Sequence, residues 1–387
     1  MTKHSPGLTR RALMAGAAVL AMPFVQGAAP PTPGQQSGAG SAASGAIQQR
    51  VARFLAEFSA PGVSLAYGRN GSIDFAGSFG MADPYAGEPL GDSHRFRIAS
   101  VSKPLTAAAI MMLAEHGRLR LDQPVFGAGG LLGSWFPIDP AGTQASWLGA
   151  ITVDHLLTHT AGGWTNDGND PMFRYPALGH ADLIATTLRE APLINPPGAA
   201  YAYSNFGYCL LGRIVEATGG AGYAQFVQSR LLAPSGIRDM AIAGNTRNER
   251  GPGEVVYVGQ GGDDPYAYNV RRMDSHGGWV ATASDLVLLA QRLNGDDGVP
   301  DLIGAQSVGV MRSPSAASSS YGRGWAINPA HQNRWHAGAL PGCVSMLILQ
   351  AGGPAFAGLV NTRTRDGRDA NLGLETLLWD VRSMIYG

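Results

Sequence analysis

Ile98-Ala-Ser-Val-Ser-Lys-Pro-Leu-Thr-Ala-Ala-Ala-Ile-Met-Met-Leu113 is the stretch on which the fold turns. After Thr106 it is almost wholly apolar, which predicts a helix wrapped by protein on every side. Pro104 is tolerated only in a first helical turn, so Ser100 falls at the helix N-terminus. Ser100 and Lys103 are three apart and share a face, which sets an amine beside a hydroxyl. The positive end of the helix dipole favours a developing oxyanion there. Taken alone, Ser-x-x-Lys is a weak signal, also met where an N-cap serine happens to precede a lysine.

Lysine usage adds to it. Of 28 Lys+Arg, only Lys3 and Lys103 are lysine. Lys3 lies in an expected export signal, which leaves Lys103 as the sole lysine of the mature chain. Arginine keeps its proton in proteins, whereas a desolvated lysine gives it up and acts as a base.

Outward from this helix, residues 46–58 place Ile47, Val51, Phe54, Leu55 and Phe58 on one helical face. Val63–Tyr67 and Ile73–Phe79 read as strands joined through Arg69-Asn-Gly71, a tight-turn signature. The middle is helical: Ile151–His159, then 181–190, 204–217 and 221–231. Gly277-Gly-Trp-Val-Ala-Thr-Ala-Ser-Asp285 opens a further helix, capped by Thr282 or Ser284 and running to about Leu293. Strands return at Gly322–Asn328, Arg334–Gly338, Val344–Leu349 and Phe356–Asn361, before an amphipathic helix over 370–386. This order predicts an α/β (α+β) fold. One antiparallel sheet is built from about 46–100 and 290–387 and flanked by the terminal helices. An all-helical lobe spans about 101–289, and a site at the lobe junction is the natural arrangement.

A net charge of +0 and 14% charged residues give no basic footprint for nucleic acid or an acidic membrane. Lys3, Thr9-Arg10-Arg11 and an apolar run to Val25, followed by Gly27-Ala28-Ala29, read as an export signal over 1–29, either twin-arginine or ordinary. Residues 30–45 read as a flexible linker. That places the mature protein in the periplasm or outside the cell, with no membrane span. Cys209 and Cys343 do not make a disulfide framework, and are two buried thiols or one bridge.

A serine nucleophile beside a lysine still needs a proton relay, positioning groups and an oxyanion hole. Tyr203 and Asn205, two apart ahead of a helix, are the relay candidates, since a tyrosine near an ammonium has its phenolate favoured. Tyr201 fits less well, lacking an asparagine two residues on. In Trp335-His-Ala-Gly-Ala339, His336 and Gly338 share one strand face, where a small residue lets a substrate carbonyl approach. The backbone N–H groups of Ala339 and Ser100 are candidates for the oxyanion hole.

Ser100-Val-Ser-Lys103, Tyr203-Ser-Asn205 and His336-Ala-Gly338 together resemble the serine β-lactamase/penicillin-binding superfamily. The closest branch holds class C β-lactamases, D-alanyl-D-alanine carboxypeptidases, D-aminopeptidases and family VIII esterases. Phe96-Arg-Ile-Ala-Ser100, Leu156-Leu-Thr-His-Thr-Ala-Gly162 and Leu340-Pro-Gly342 support it, and the resemblance covers about 46–387. It implies a β-lactamase/transpeptidase-like fold and a Ser100 acyl-enzyme. Lys103 and Tyr203 share the base role, and Tyr203 delivers a proton to the leaving group. Asn205 positions Lys103 and substrate, and His336 fills the third-motif place beside Gly338 and Ala339. Water deacylates, and no metal or cofactor is needed. The substrate expected is a small molecule or peptide.

The third motif departs from Lys-Thr-Gly, so a substrate carboxylate loses a cation and a hydroxyl donor. Esterase, amidase or peptidase activity is therefore expected ahead of efficient β-lactamase activity. The alternatives are a true β-lactamase and a non-catalytic penicillin- or cell-wall-peptide-binding module. His155 and His159 are four apart, but Leu156 stands where H-E-x-x-H requires glutamate. No G-x-S-x-G elbow is present.

Overall fold

Strand β1 (Gly62–Arg69) is buried at every residue but its last, as a strand covered on both faces must be. It turns through Asn70 (φ 54°) and Gly71 (φ 76°) into β2 (Ser72–Asp83). Two successive positive φ values are the signature of a type I′ hairpin, whose twist matches that of the strands. On its other side β1 pairs antiparallel with β10 (Ala355–Val360), Val63 opposite Val360. The two ends of the chain thus share one sheet, as expected.

The computed structural model describes residues 41–142, 144–295, 298–364 and 368–387. The expected export signal, and the linker as far as residue 40, lie outside them. The first helix begins at Ser41 and runs to Glu57, so residues 41–45 belong to it and not to a linker. The remaining strands are β3 (Glu88–Pro89), β4 (Phe96–Arg97), β5 (Ala241–Ile242), β6 (Trp279–Ala281), β7 (Ala326–Ile327), β8 (Arg334–Leu340) and β9 (Cys343–Leu349). The main sheet has the order β3-β2-β1-β10-β9-β8-β7, and β4-β6-β5 form a smaller one.

Side-chain alternation divides the main sheet between two cores. Val63, Leu65 and Tyr67 join Val344, Met346, Ile348 and Phe356 under the first helix and the closing helix Ala370–Tyr386. Leu347, Leu349, Ala357 and Leu359 face the other way, onto the Ala283–Gln291 helix and the helical lobe. The stretch from Ile98 is a 3₁₀ turn, Ala99–Val101, running into the Ser102–Glu115 helix. Every residue of that helix from Ser102 to Leu113 is buried, as its composition predicted.

The middle lobe is helical except for β5 and β6, so the all-helical expectation is corrected there. Trp279-Val-Ala281 is a short buried strand, and the helix starts only after Thr282. Thr282 and Asp285 form a reciprocal capping box, which selects Thr282 over Ser284. The short apolar run carried no period to separate strand from helix. Cys209 and Cys343 are both free and buried. Burial pushes their thiols up to about 12 and 11. Among the described residues no helix is long and apolar enough to cross a membrane.

Candidate active site

The turn that carries Ser100 is clamped by the small sheet and the main sheet together. Ile98 N–H donates to Trp279 O at 2.9 Å, and Ser345 Oγ donates to Ile98 O at 2.6 Å. Between them Ala99 is held at φ 44°, buried. That conformation costs a non-glycine residue about 1–3 kcal/mol and persists only where the surroundings over-determine it. Here two sheets do so, and Ser100 follows at the dipole-positive end of the Ser102–Glu115 helix.

Lys103 is fully buried, and its Nζ has three close oxygen neighbours. Ser100 Oγ lies at 3.0 Å, Asn205 Oδ1 at 2.8 Å and His276 O at 3.0 Å. The Tyr203 ring centroid is 4.8 Å away, and Tyr203 lines the same cleft as Ser100. Burial pulls the Lys103 ammonium well below its usual range and pushes the Tyr203 phenol up. Desolvation disfavours the charged form of each. The folded site thus favours a neutral amine beside a neutral phenol, not the phenolate anticipated for Tyr203. Two of the amine's neighbours are carbonyl oxygens, which only accept. They engage its two N–H groups and leave its lone pair toward the Ser100 hydroxyl.

Asn205 is oriented by what lies behind it. Its Nδ2 donates to Asp170 Oδ2 at 2.8 Å and to Asn166 Oδ1 at 3.0 Å. A carboxylate only accepts, so Oδ1 must face Lys103. Burial pushes the Asp170 carboxyl up to about 6, against the hydrogen bonds from Asn205 and Met172. Asp170 caps the short Pro171–Arg174 helix and communicates with Lys103 through one asparagine.

His336 and Gly338 share a face of β8, as expected, and the face looks onto the Ser100 turn. His336 is 4% exposed. Its Nδ1 lies 2.8 Å from Ala337 O and its Nε2 lies 3.1 Å from the Tyr321 hydroxyl. A carbonyl only accepts, so Nδ1 carries the proton and Tyr321 donates to Nε2. Burial, with Lys103 nearby, holds the ring down to about 3. His336 is therefore a neutral, fully engaged residue and cannot attract a carboxylate by charge. A Cβ at Gly338 would stand 2.3 Å from Ile98 O and 2.3 Å from Ser345 Oγ. The glycine makes room for the nucleophile turn, a second demand for a small residue beside the approach of a substrate carbonyl. Ala339 lies where β8 has β9 on one side. On the other side β7 reaches only Arg334 and Trp335.

A cleft of about 880 Å³ runs past these groups. Ser100, Tyr203, His336, Gly338 and Ala339 all line it, while Lys103 and Asn205 stand behind Ser100. Every site residue expected from sequence is thereby gathered at one place. Tyr201, the less favoured tyrosine, stands on the cleft rim, 38% exposed. Sequence reading missed Asp170, Asn166, Tyr321 and His276, which come from loops, a helix cap and the one-turn helix Asp274–Gly277, all too short to carry a spacing signal. His159 belongs to the Leu156–Gly162 phrase and is spaced from His155 as a metal ligand could be. It lies past the end of the Val153–Leu157 helix with φ 58°, off the helical face of His155. Its Nδ1 accepts the Ser204 N–H at 3.0 Å, and its ring lies 4.3 Å from that of Tyr203. It holds the Tyr203–Asn205 loop in place.

Comparison with known proteins identifies the family. A family model described as Beta-lactamase matches residues 47–377. Esterase EstB of Burkholderia gladioli is 33% identical over 183 residues, 44% of this chain and 44% of the esterase. Penicillin-binding protein 4* of Bacillus subtilis is 26% identical over 307 residues, 72% of this chain and 63% of its own. The chain thus spans less than two thirds of the length of either relative. The D-amino acid amidase of Ochrobactrum anthropi SV3, complexed with L-phenylalanine, superposes with a TM-score of 0.72. It does so at 24% identity, over 89% of this chain and 98% of the amidase, a likeness of fold. The chain belongs to the Beta-lactamase family.

Proposed function

We propose that the protein is an exported serine hydrolase that forms an acyl-enzyme at Ser100 on a small ester or amide. The observation that carries this reading is the set of three oxygens around Lys103 Nζ, one of them Ser100 Oγ at 3.0 Å. Lys103 takes the Ser100 proton as Oγ attacks the carbonyl. The oxyanion meets the N–H groups of Ser100 and Ala339 and the positive helix end. Tyr203 gives its proton to the leaving group and regains one from Lys103, so Lys103 is the acylation base and Tyr203 the relay. Water then releases the acid.

The esterase and amidase among the similar proteins support an ester, D-amino-acid amide or peptide as substrate. The neutral, occupied His336 argues against efficient turnover of β-lactams, whose carboxylate wants a cation at that place. The proposal that the protein works outside the cytoplasm rests on Thr9-Arg10-Arg11 and the apolar run after it.

Labelling tests the reading. A fluorescent fluorophosphonate should leave an adduct on the purified protein that disappears in Ser100→Ala. p-Nitrophenyl acetate or a D-amino-acid amide should be turned over by the same species. No adduct and no turnover would favour a non-catalytic module that only binds cell-wall peptides. Nitrocefin turnover outpacing the esters would favour a true β-lactamase.

A further inference from the structure

The sheet face turned away from Ser100 carries a second open pocket, of about 390 Å³. Its floor follows from strand register. Trp335 of β8 lies opposite Ile348 of β9, and alternation puts both side chains on the face beneath the closing helix, against the outer core. That helix adds Glu375 and Trp379, four apart and so on one side of it. Trp379 is propped by Phe356, with ring centroids 4.9 Å apart at 80°. Both tryptophans are half-buried, and among the described residues neither indole N–H has an acceptor. The wall is the turn between β7 and β8, fixed by its own hydrogen bonds. Asn328 N–H donates to Asn333 O at 2.9 Å, and Gln332 N–H donates to Asn328 O at 2.7 Å. Asn328 Oδ1 accepts from the N–H groups of Ala330 and His331 at 3.0 and 3.3 Å. Asn333 Oδ1 accepts from Ala351 N–H at 3.1 Å. A backbone N–H only donates, so both amides spend their oxygen on the turn and keep Nδ2 uncommitted. Glu375 likewise has no hydrogen bond or ion pair among the described residues. Two indoles, two oriented amide donors and a free carboxylate thus border one space.

We propose that this pocket is a binding site for a neutral saccharide. A pyranose has an apolar C–H face, which packs on an indole, and an edge of hydroxyls that each donate and accept. The asparagine Nδ2 groups donate to hydroxyl oxygens, and the Glu375 carboxylate accepts hydroxyl protons. Other ligand classes leave part of the pocket unmet. A quaternary ammonium would use the indoles and Glu375, but the amide donors would face a cation. An anion would meet Glu375 and, among the described residues, no lysine or arginine in the lining. An apolar helix would bury the carboxylate and both amides without partners, which is unfavourable for each. Trp335 borders both this pocket and the catalytic cleft. A bound sugar therefore sits next to the cleft, and its binding does not depend on the Ser100 acyl-enzyme.

Titration of the purified protein with chitotetraose, cellotetraose and maltotetraose, read by tryptophan emission and by calorimetry, tests the site. At least one of the three should bind saturably with a Kd in the millimolar range or below, and Ser100→Ala should bind it equally well. Trp379→Ala should abolish that binding. Glu375→Ala gives a second reading should Trp379→Ala fail to fold, because the Glu375 carboxylate holds nothing in the fold. It should weaken binding roughly tenfold or more, the loss usual for a hydrogen bond to a charged group. Hydrolysis of p-nitrophenyl acetate by Glu375→Ala should stay at the wild-type rate. Failure of all three sugars to bind at millimolar concentration overturns the proposal, and so does binding undiminished in both variants. Choline bound in a Trp379-dependent way in place of the sugars would make the pocket a cation cage and also overturns it. Sugar binding by a protein that forms no Ser100-dependent adduct would sustain the saccharide site while removing the acyl-enzyme, a distinct result.

Discussion

At the scale of single residues, the site depends on a lysine that can lose its proton. Lys103→Arg keeps a cation but not a base, because the guanidinium stays protonated. Adduct formation with the fluorophosphonate should drop to the level of Ser100→Ala while the fold persists by circular dichroism. Labelling at near wild-type rate would remove Lys103 from the base role. Asp170 makes a finer prediction. Its carboxylate favours the Lys103 ammonium across Asn205, so Asp170→Asn should lower the Lys103 pKa further. The amine then stays deprotonated to lower pH, and the acid limb of kcat/KM moves downward. Asn205 also loses a charged acceptor, an interaction worth about 1.5–3 kcal/mol, so kcat/KM at pH 7 should fall by at least about tenfold. A pH–rate profile of the variant with an unmoved acid limb would contradict this coupling.

At the scale of elements, the machinery is a turn held against a strand. Gly338 is where they touch, and the contact is too close for any side chain. Gly338→Ala must push back Ile98 or Ser345, at about 1–3 kcal/mol for an overpacked contact. The shift is transmitted to Ser100, so kcat should drop by about 100-fold for a displacement near 1 Å. Loss of thermal stability with kcat intact well below the melting point would mean that the strand, not the turn, gives way. The same elements explain what the sequence made legible. Ser100 and Lys103 were readable because a helix turn fixes their spacing. Tyr203 and Asn205 were readable as a pair in a loop, and His336 and Gly338 because a strand alternates. The orientation of Asn205 was not, since it is fixed by Asp170, thirty-five residues away. Nor was the occupation of His336 by Tyr321, which comes from a segment with no regular period. Trp279–Ala281 misled for a related reason: three buried residues pack equally well in a strand or a helix, and only pairing with β4 and β5 decides.

At the scale of the whole molecule, one sheet face serves chemistry and the other serves stability. His336, Gly338 and Ser345 look toward the Ser100 turn, while the opposite face is closed by the first and last helices. The closing helix contributes Leu374, Leu377, Leu378 and Val381, all buried. Each such side chain adds about 1.5–3 kcal/mol on burial, which together is comparable to the entire stability of a typical domain, about 5–15 kcal/mol. Leu377→Ala should therefore cost about 2–5 kcal/mol, the loss usual for a buried leucine. Urea unfolding should register it as a lower midpoint with an unchanged slope. The fluorophosphonate labelling rate of the remaining folded protein should not change, because Leu377 packs on the side of the sheet away from His336 and Gly338. A labelling rate that falls in step with stability would show that the two faces are mechanically coupled, and that the closing helix shapes the cleft as well as sealing the core.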